Sequence, residues 1–331
     1  MVGVVPGAAG GPKWLILSRL DRFLFGEWFL KNQSPVSLIG ASSGAWRFAC
    51  AAQNDPVAAG KRFENAYIYQ CYAKRPSPEQ VSQKSFKILD HVLGSSGADE
   101  VVENKRFHAS FLTVRCQGWT SRDEKLPLAI GSLGAAAANA VAREGVQYFF
   151  ERAIFHSPKS RPPISEEVLG KSDCVLLKPG NVRQALLASG SIPLAMSGVR
   201  DISGAPAGTY RDGGVVDYHL DLPYDSNQKI ILYPHYCDQI IPGWLDKFVP
   251  WRKPKRENMT NVLLIAPSEE FLRRLPYGKI PDRKDFWFFA GEDNARVQYW
   301  KKVAREGERL RDAFAEAVEK DKIQELMQPL G

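Results

Sequence analysis

Ser42 is the side chain best placed by its neighbours to act as a nucleophile. It stands at the centre of Gly40-Ala41-Ser42-Ser43-Gly44, a G-x-S-x-G stretch. A serine hydroxyl attacks a carbonyl when a neighbouring group takes its proton and the chain presents it on a sharp turn. Residues flanking such a turn must be small, and glycine tolerates dihedrals that a Cβ forbids. Asp212 is the candidate proton acceptor. It lies in Arg211-Asp212-Gly213-Gly214, where two glycines let the backbone turn tightly beside another loop. D-G-G taken alone is also a common turn signal. The third feature is Gly7-Ala8-Ala9-Gly10-Gly11-Pro12-Lys13 near the start of the chain. A loop of this composition between a strand and a helix points several backbone N–H groups one way, which suits an oxyanion. Pro12 has no N–H, so Gly10, Gly11 and Lys13 are the available donors. The spacing is not the G-x-G-x-x-G of a dinucleotide site.

These residues need strand ends to hold them. Residues 2–5 and 36–39 are short apolar runs of strand length, each leading into one of the small-residue loops. Helix-compatible segments follow both loops, with Trp14, Leu15, Leu17, Leu20, Phe23 and Leu24 recurring at helical spacing after the first. Further strands are expected at 108–115, 174–178, 229–233 and 261–265. Helices are expected at 133–146, 181–189 and 294–326, the last with a solvated outer face. The aromatic-rich stretch 55–93 reads as an outer helical layer, and Phe286-Trp287-Phe288-Phe289 reads as core. Strand and helix alternate, which predicts an α/β fold with a central, mostly parallel sheet between helices.

The 331 residues fit one α/β domain spanning 1–331, with the motif-bearing core in about 1–220. Apolar residues make up 44% and charged residues 24%, an ordinary globular balance. The five cysteines are scattered and odd in number, so reduced thiols and a cytoplasmic setting are expected, not a disulfide framework or a zinc site. No metal and no cofactor is expected, since serine chemistry needs neither. No signal peptide and no membrane-spanning run is evident.

The motifs AGGPK at 9–13, GASSG at 40–44, ASGSIPLAM at 188–196 and RDGG at 211–214 together resemble the patatin-like phospholipase family. The resemblance covers about residues 1–220. It implies a three-layer patatin-like fold and a Ser–Asp dyad: Ser42 as nucleophile forming an acyl-enzyme, Asp212 as base. It also implies Gly10, Gly11 and Lys13 as the oxyanion loop, and a lipid or other acyl ester as substrate. The family's loop reads Gly-Gly-Gly-x-Arg-Gly. Here Ala9 stands for the first glycine, Lys13 for the arginine and Trp14 for the last glycine, which implies a narrower acyl pocket. An α/β-hydrolase would instead use serine, acid and histidine in that order. His219 and His235 make the order available, but the elbow comes early and no HGGG-type loop is present. The alternative from another class is a catalytically weak lipid-binding or regulatory protein that keeps the fold.

Net charge is +7, so anionic partners are expected. The segment 244–256 mixes Trp244, Phe248 and Trp251 with Arg252, Lys253, Lys255 and Arg256. That composition suits peripheral contact with an anionic membrane. The basic residues are otherwise dispersed and no nucleic-acid motif is present, so nucleic acid is not an expected partner.

Overall fold

The computed structural model describes residues 1–72 and 76–330. Its sheet contains β1 (Val2–Gly7), β2 (Val36–Ala41), β3 (Phe107–Cys116), β4 (Phe150–His156) and β5 (Asp173–Leu176). It is completed by β6 (Val199–Arg200), β7 (Thr209–Asp212), β8 (Ile230–Pro234) and β9 (Val262–Ile265). The main order is β5-β4-β3-β2-β1-β8-β9. The run from β3 to β9 is parallel throughout, and β4 and β7 join β3 antiparallel. The fold is thus α/β with a mostly parallel central sheet flanked by helices, as the alternation of elements predicts.

In chain order the α-helices are α1 (Ser18–Phe23), α2 (Ser43–Ala51), α3 (Pro56–Ile68), α4 (Pro78–Leu93), α5 (Gly97–Glu103) and α6 (Lys125–Val141). They continue with α7 (Glu166–Leu169), α8 (Pro179–Gly190), α9 (Glu269–Arg273), α10 (Asp285–Phe288), α11 (Asp293–Glu319) and α12 (Ile323–Leu326). Alternation along the strands divides the core. Val5, Leu38, Ala109 and Phe111 pack under a helical layer that includes α2, α3, α4 and α11. Val4, Ile39, Ala41 and Leu112 face the other way, against Ile164, Tyr218, Leu220 and Leu222. Trp14 joins the helical layer, its indole stacked 4.1 Å from Phe63.

Three segments differ from the sequence expectation. The helix expected at 133–146 begins at Lys125, and much of its apolar surface faces outward. Within 286–289, Phe289 is core but Trp287 and Phe288 are exposed, because α10 is a single turn with only one side on the body. The long terminal helix ends at Glu319, and it is more than a solvated face: Trp300, Val303 and Ala304 are fully buried against the body. Residues 73–75 of the expected 55–93 layer lie outside the described residues.

Candidate active site

The strand register determines where the site forms. β2 climbs parallel to β3 and ends at Ala41, opposite Leu112. β7 descends antiparallel along the same edge of β3 and ends at Asp212, opposite Thr113. The two strand ends therefore meet head-on, and residues 42 and 212 become neighbours in space. β1 ends one strand over, at Gly7, opposite Gly40.

Ser42 occupies φ 54°, ψ −125°, between the end of β2 and the first turn of α2. A non-glycine residue in that region carries roughly 1–3 kcal/mol of strain. The turn is tight enough to need its glycines. A Cβ on Gly44 would stand 2.0 Å from the Gly7 carbonyl oxygen, and one on Gly213 would stand 2.3 Å from that of Leu112. Small residues thus let β1, β2 and the turn after β7 converge.

The Ser42 hydroxyl donates to Asp212 Oδ2 at 2.8 Å. The other carboxylate oxygen accepts the Gly214 N–H at 2.7 Å. Both side chains are 6% exposed. Burial pushes the Asp212 carboxyl up to about 6, against the opposing pull of the Ser42 and Gly214 hydrogen bonds and the Arg283 and Lys247 charges. An aspartate so placed accepts a proton readily near neutral pH. The ASGSIP stretch supplies the support: Ser189 Oγ accepts the Ser42 N–H at 2.9 Å and donates to the Leu112 carbonyl at 2.7 Å. The Asp212 N–H donates to the Ser191 carbonyl at 3.0 Å.

The glycine-rich loop lies against this pair, since a Cβ on Gly214 would stand 2.6 Å from that of Ala9. Among the described residues, the N–H groups of Gly10 and Gly11 find no acceptor, nor does that of Ser43 at the start of α2. The Lys13 N–H is turned back to the Gly10 carbonyl at 3.4 Å. The loop is held from behind. Ala9 N–H donates to the Tyr218 carbonyl at 2.9 Å, and the Tyr236 hydroxyl donates to the Ala9 carbonyl at 2.5 Å. The Tyr236 oxygen lies 2.7 Å from His219 Nε2, while the Ile241 N–H donates to His219 Nδ1 at 3.0 Å. With its own proton committed to Ala9, Tyr236 accepts the Nε2 proton, and His219 is assigned as that neutral tautomer. Ser189 and Gly214 lie in the family-like stretches 188–196 and 211–214, but nothing in the sequence marked either for its hydrogen bond, or Tyr236 for its brace.

No histidine is hydrogen-bonded to Ser42 among the described residues. His219 and His235 pack against each other, with ring centroids 4.4 Å apart. Burial holds His235 down to about 3 and His219 well below its ordinary value. His219, His235 and Cys237 bring three metal-type donor atoms within 4.8 Å of one another, a grouping that their spacing in the sequence hides. Both ring nitrogens of His219 already have protein partners.

Three cations border the loop. Lys247 Nζ sits 3.6 Å over the Tyr218 ring and Lys13 Nζ 4.9 Å over the Tyr236 ring. The Arg283 stem lies against Gly11. None has a carboxylate within ion-pair distance among the described residues, unlike Arg152 on Asp217 or Arg252 on Asp246. Burial lowers the Lys247 ammonium, and Lys13 and Arg283 lower it further against the opposing effect of Tyr218.

No family model matches the chain, and no curated protein matches it. Among solved structures, VipD from Legionella pneumophila is similar at a TM-score of 0.36 and 12% identity, over 94% of this chain and 67% of that one.

Proposed function

We propose that this chain is a serine acyl hydrolase of the patatin-like kind, acting on lipid esters through Ser42 and Asp212. The observation that carries the reading is the direct 2.8 Å hydrogen bond from a serine on a strained elbow to a buried carboxylate. The Ser42 oxygen attacks the ester carbonyl while its proton passes to Asp212 Oδ2. The carbonyl oxygen becomes an oxyanion beside the Gly10 and Gly11 N–H groups, where each such donor lowers the barrier by roughly 3 kcal/mol. Collapse breaks the bond to the alcohol, which leaves with the proton from Asp212, and an acyl-serine remains. Water then gives a proton to Asp212 and attacks. The second collapse frees the acid and returns the proton to Ser42.

The unpaired Lys13, Lys247 and Arg283 favour an ester that carries an anionic group. Hydrolysis of p-nitrophenyl acyl esters, followed by a panel of neutral and anionic lipid esters, tests both statements. Ser42→Ala and Asp212→Ala are each expected to reduce turnover by at least about a thousandfold. Equal rates in both variants and the parent would remove the dyad. Preference for neutral over anionic esters would remove the cations from substrate recognition. Lipid binding without turnover in the parent would favour the non-catalytic reading, which draws support from the near-complete burial of both dyad side chains.

A further inference from the structure

α6 is an unusual surface helix. From Leu126 to its end at Val141 it carries no charged residue. Its inner face, Leu128, Gly131, Ala135 and Asn139, meets the body. Its outer face is apolar too: Leu126 is 71% exposed, Leu133 70% and Val141 89%, with Ile130 between them. These positions recur at helical spacing and form one stripe. An outer helix that only meets water would carry polar side chains there.

The stripe is continuous with a second exposed surface. Asn139 donates from α6 to Asp246 at 2.8 Å, and Arg252 holds both, at 3.2 Å to Asn139 and 3.0 Å to Asp246. This clamp fixes the 244–256 segment beside α6. Trp244 is half-buried there and Arg252 is ion-paired, so neither is free for a partner. Phe248 and Trp251, however, are 71% and 72% exposed. Lys253, Lys255 and Arg256 are exposed around them, and Asp246 of the clamp is the one acidic residue before the exposed Glu257 that ends the run. Glu124 and Glu144 lie off the two ends of α6, outside the stripe.

The combined face is reached from the same end of the strands as the dyad. β3 runs past Thr113, the partner of Asp212, to Cys116, and the chain then passes through one short turn into α6. Leu245 and Val215, from the turn after Asp212, share a small core with Ala135 of α6.

We infer that the α6 stripe and the 244–256 segment together form one docking face for a lipid bilayer bearing anionic headgroups. The apolar stripe and the two exposed aromatic rings enter the headgroup boundary, and Lys253, Lys255 and Arg256 meet the lipid charge. Charge complementarity selects this occupant: an apolar patch bordered mainly by cations matches an anionic lipid surface. The inference gives the proposed hydrolase its substrate interface, yet it is tested apart from hydrolysis.

The test uses Ser42→Ala protein, which leaves lipid intact, co-sedimented with vesicles of phosphatidylcholine with and without phosphatidylserine. Binding is expected, stronger with phosphatidylserine. Leu126→Glu with Leu133→Glu is expected to weaken it about tenfold or more, and Lys253→Glu with Lys255→Glu to remove the phosphatidylserine preference. Leu30→Glu, an exposed apolar position shortly before the start of β2, is expected to change nothing. The Leu126/Leu133 variant is expected to keep the cooperative thermal melt and the circular dichroism of the Ser42→Ala parent, which shows that it folds. Absence of binding by the Ser42→Ala parent, or undiminished binding by the Leu126/Leu133 variant, overturns the inference. So does a dimer in sedimentation velocity that this variant disperses, since the face would then cover a second copy.

Discussion

Asp212→Asn separates the energetic cost of the site from its chemistry. The carboxyl is displaced from 3.8 to about 6, chiefly by burial. Each unit is worth about 1.4 kcal/mol, so the ionised group destabilises the fold by about 3 kcal/mol. The folded-state value lies above the unfolded one. The folded protein therefore binds the extra proton between those values, and stability falls as pH rises through that window. Asparagine keeps the shape and an oxygen for the Gly214 N–H but carries no charge. The variant is expected to match the parent near pH 4 and to exceed it by about 3 kcal/mol at pH 8. With an unfolding entropy of about 2.1 cal/mol/K per residue over 331 residues, that is a rise of about 4 °C in Tm. His219 and His235 also charge in acid, but they do so in both proteins and cancel in the difference.

The same ionisation should appear in the parent's kinetics. If Asp212 is the base, kcat/KM on a soluble ester rises roughly tenfold from pH 5 to pH 7 with unit slope and a midpoint near 6. Asp212→Asn loses that activity while gaining stability. Thermal melts of the two proteins across pH 4–8, with a pH–rate profile of the parent, check both halves. A Tm difference that does not change with pH would refute the argument that burial strains this carboxylate. A flat rate profile through pH 6 would refute its role as base.

Tyr236→Phe removes the hydroxyl that fixes the Ala9 carbonyl and, through that peptide, the aim of the Gly10 N–H; kcat is expected to fall about 10- to 100-fold with KM within about twofold, less than loss of a whole oxyanion donor costs. An unchanged kcat would mean that the loop holds its aim without this brace. Gly44→Ala drives a Cβ onto the Gly7 carbonyl, so it is expected to cost about 3 kcal/mol or more and to appear as insoluble or low-melting protein. A well-folded, active Gly44→Ala protein would show that β1 and α2 do not need their close approach.

The tight turns at Ser42 and Asp212 were legible because their signals are local. Small residues around Ser42 and after Asp212 announce tight turns, and the short apolar runs before them announce strands. What brings the two together is not local: it is the register of β2 and β7 on β3, where Ala41 and Asp212 oppose consecutive residues. Periodicity also reports which side chains share a face, not what that face meets. This is why residues 286–289 read as core while Trp287 and Phe288 are exposed, and why the mixed-charge α11 read as solvated while Trp300 is wholly buried. Lys13 illustrates the same limit at one atom. Its position in the loop suggests a free N–H, but the tight turn that follows directs that N–H back to Gly10.

The costs in this fold gather at one place. Ser42 is held in a strained backbone region at roughly 1–3 kcal/mol. Ionised Asp212 carries a net cost of about 3 kcal/mol, burial outweighing the hydrogen bonds and charges that oppose it. Beside them, Gly10 and Gly11 point N–H groups at no protein acceptor. A hydrogen bond kept only for stability would do better with Asp212 replaced by asparagine and the elbow relaxed. Supports at Ser189, Gly214 and Tyr236 hold the strained arrangement instead of letting it ease. Local rules broken together, around Ser42 and Asp212, favour a site shaped for reaction over one shaped for stability.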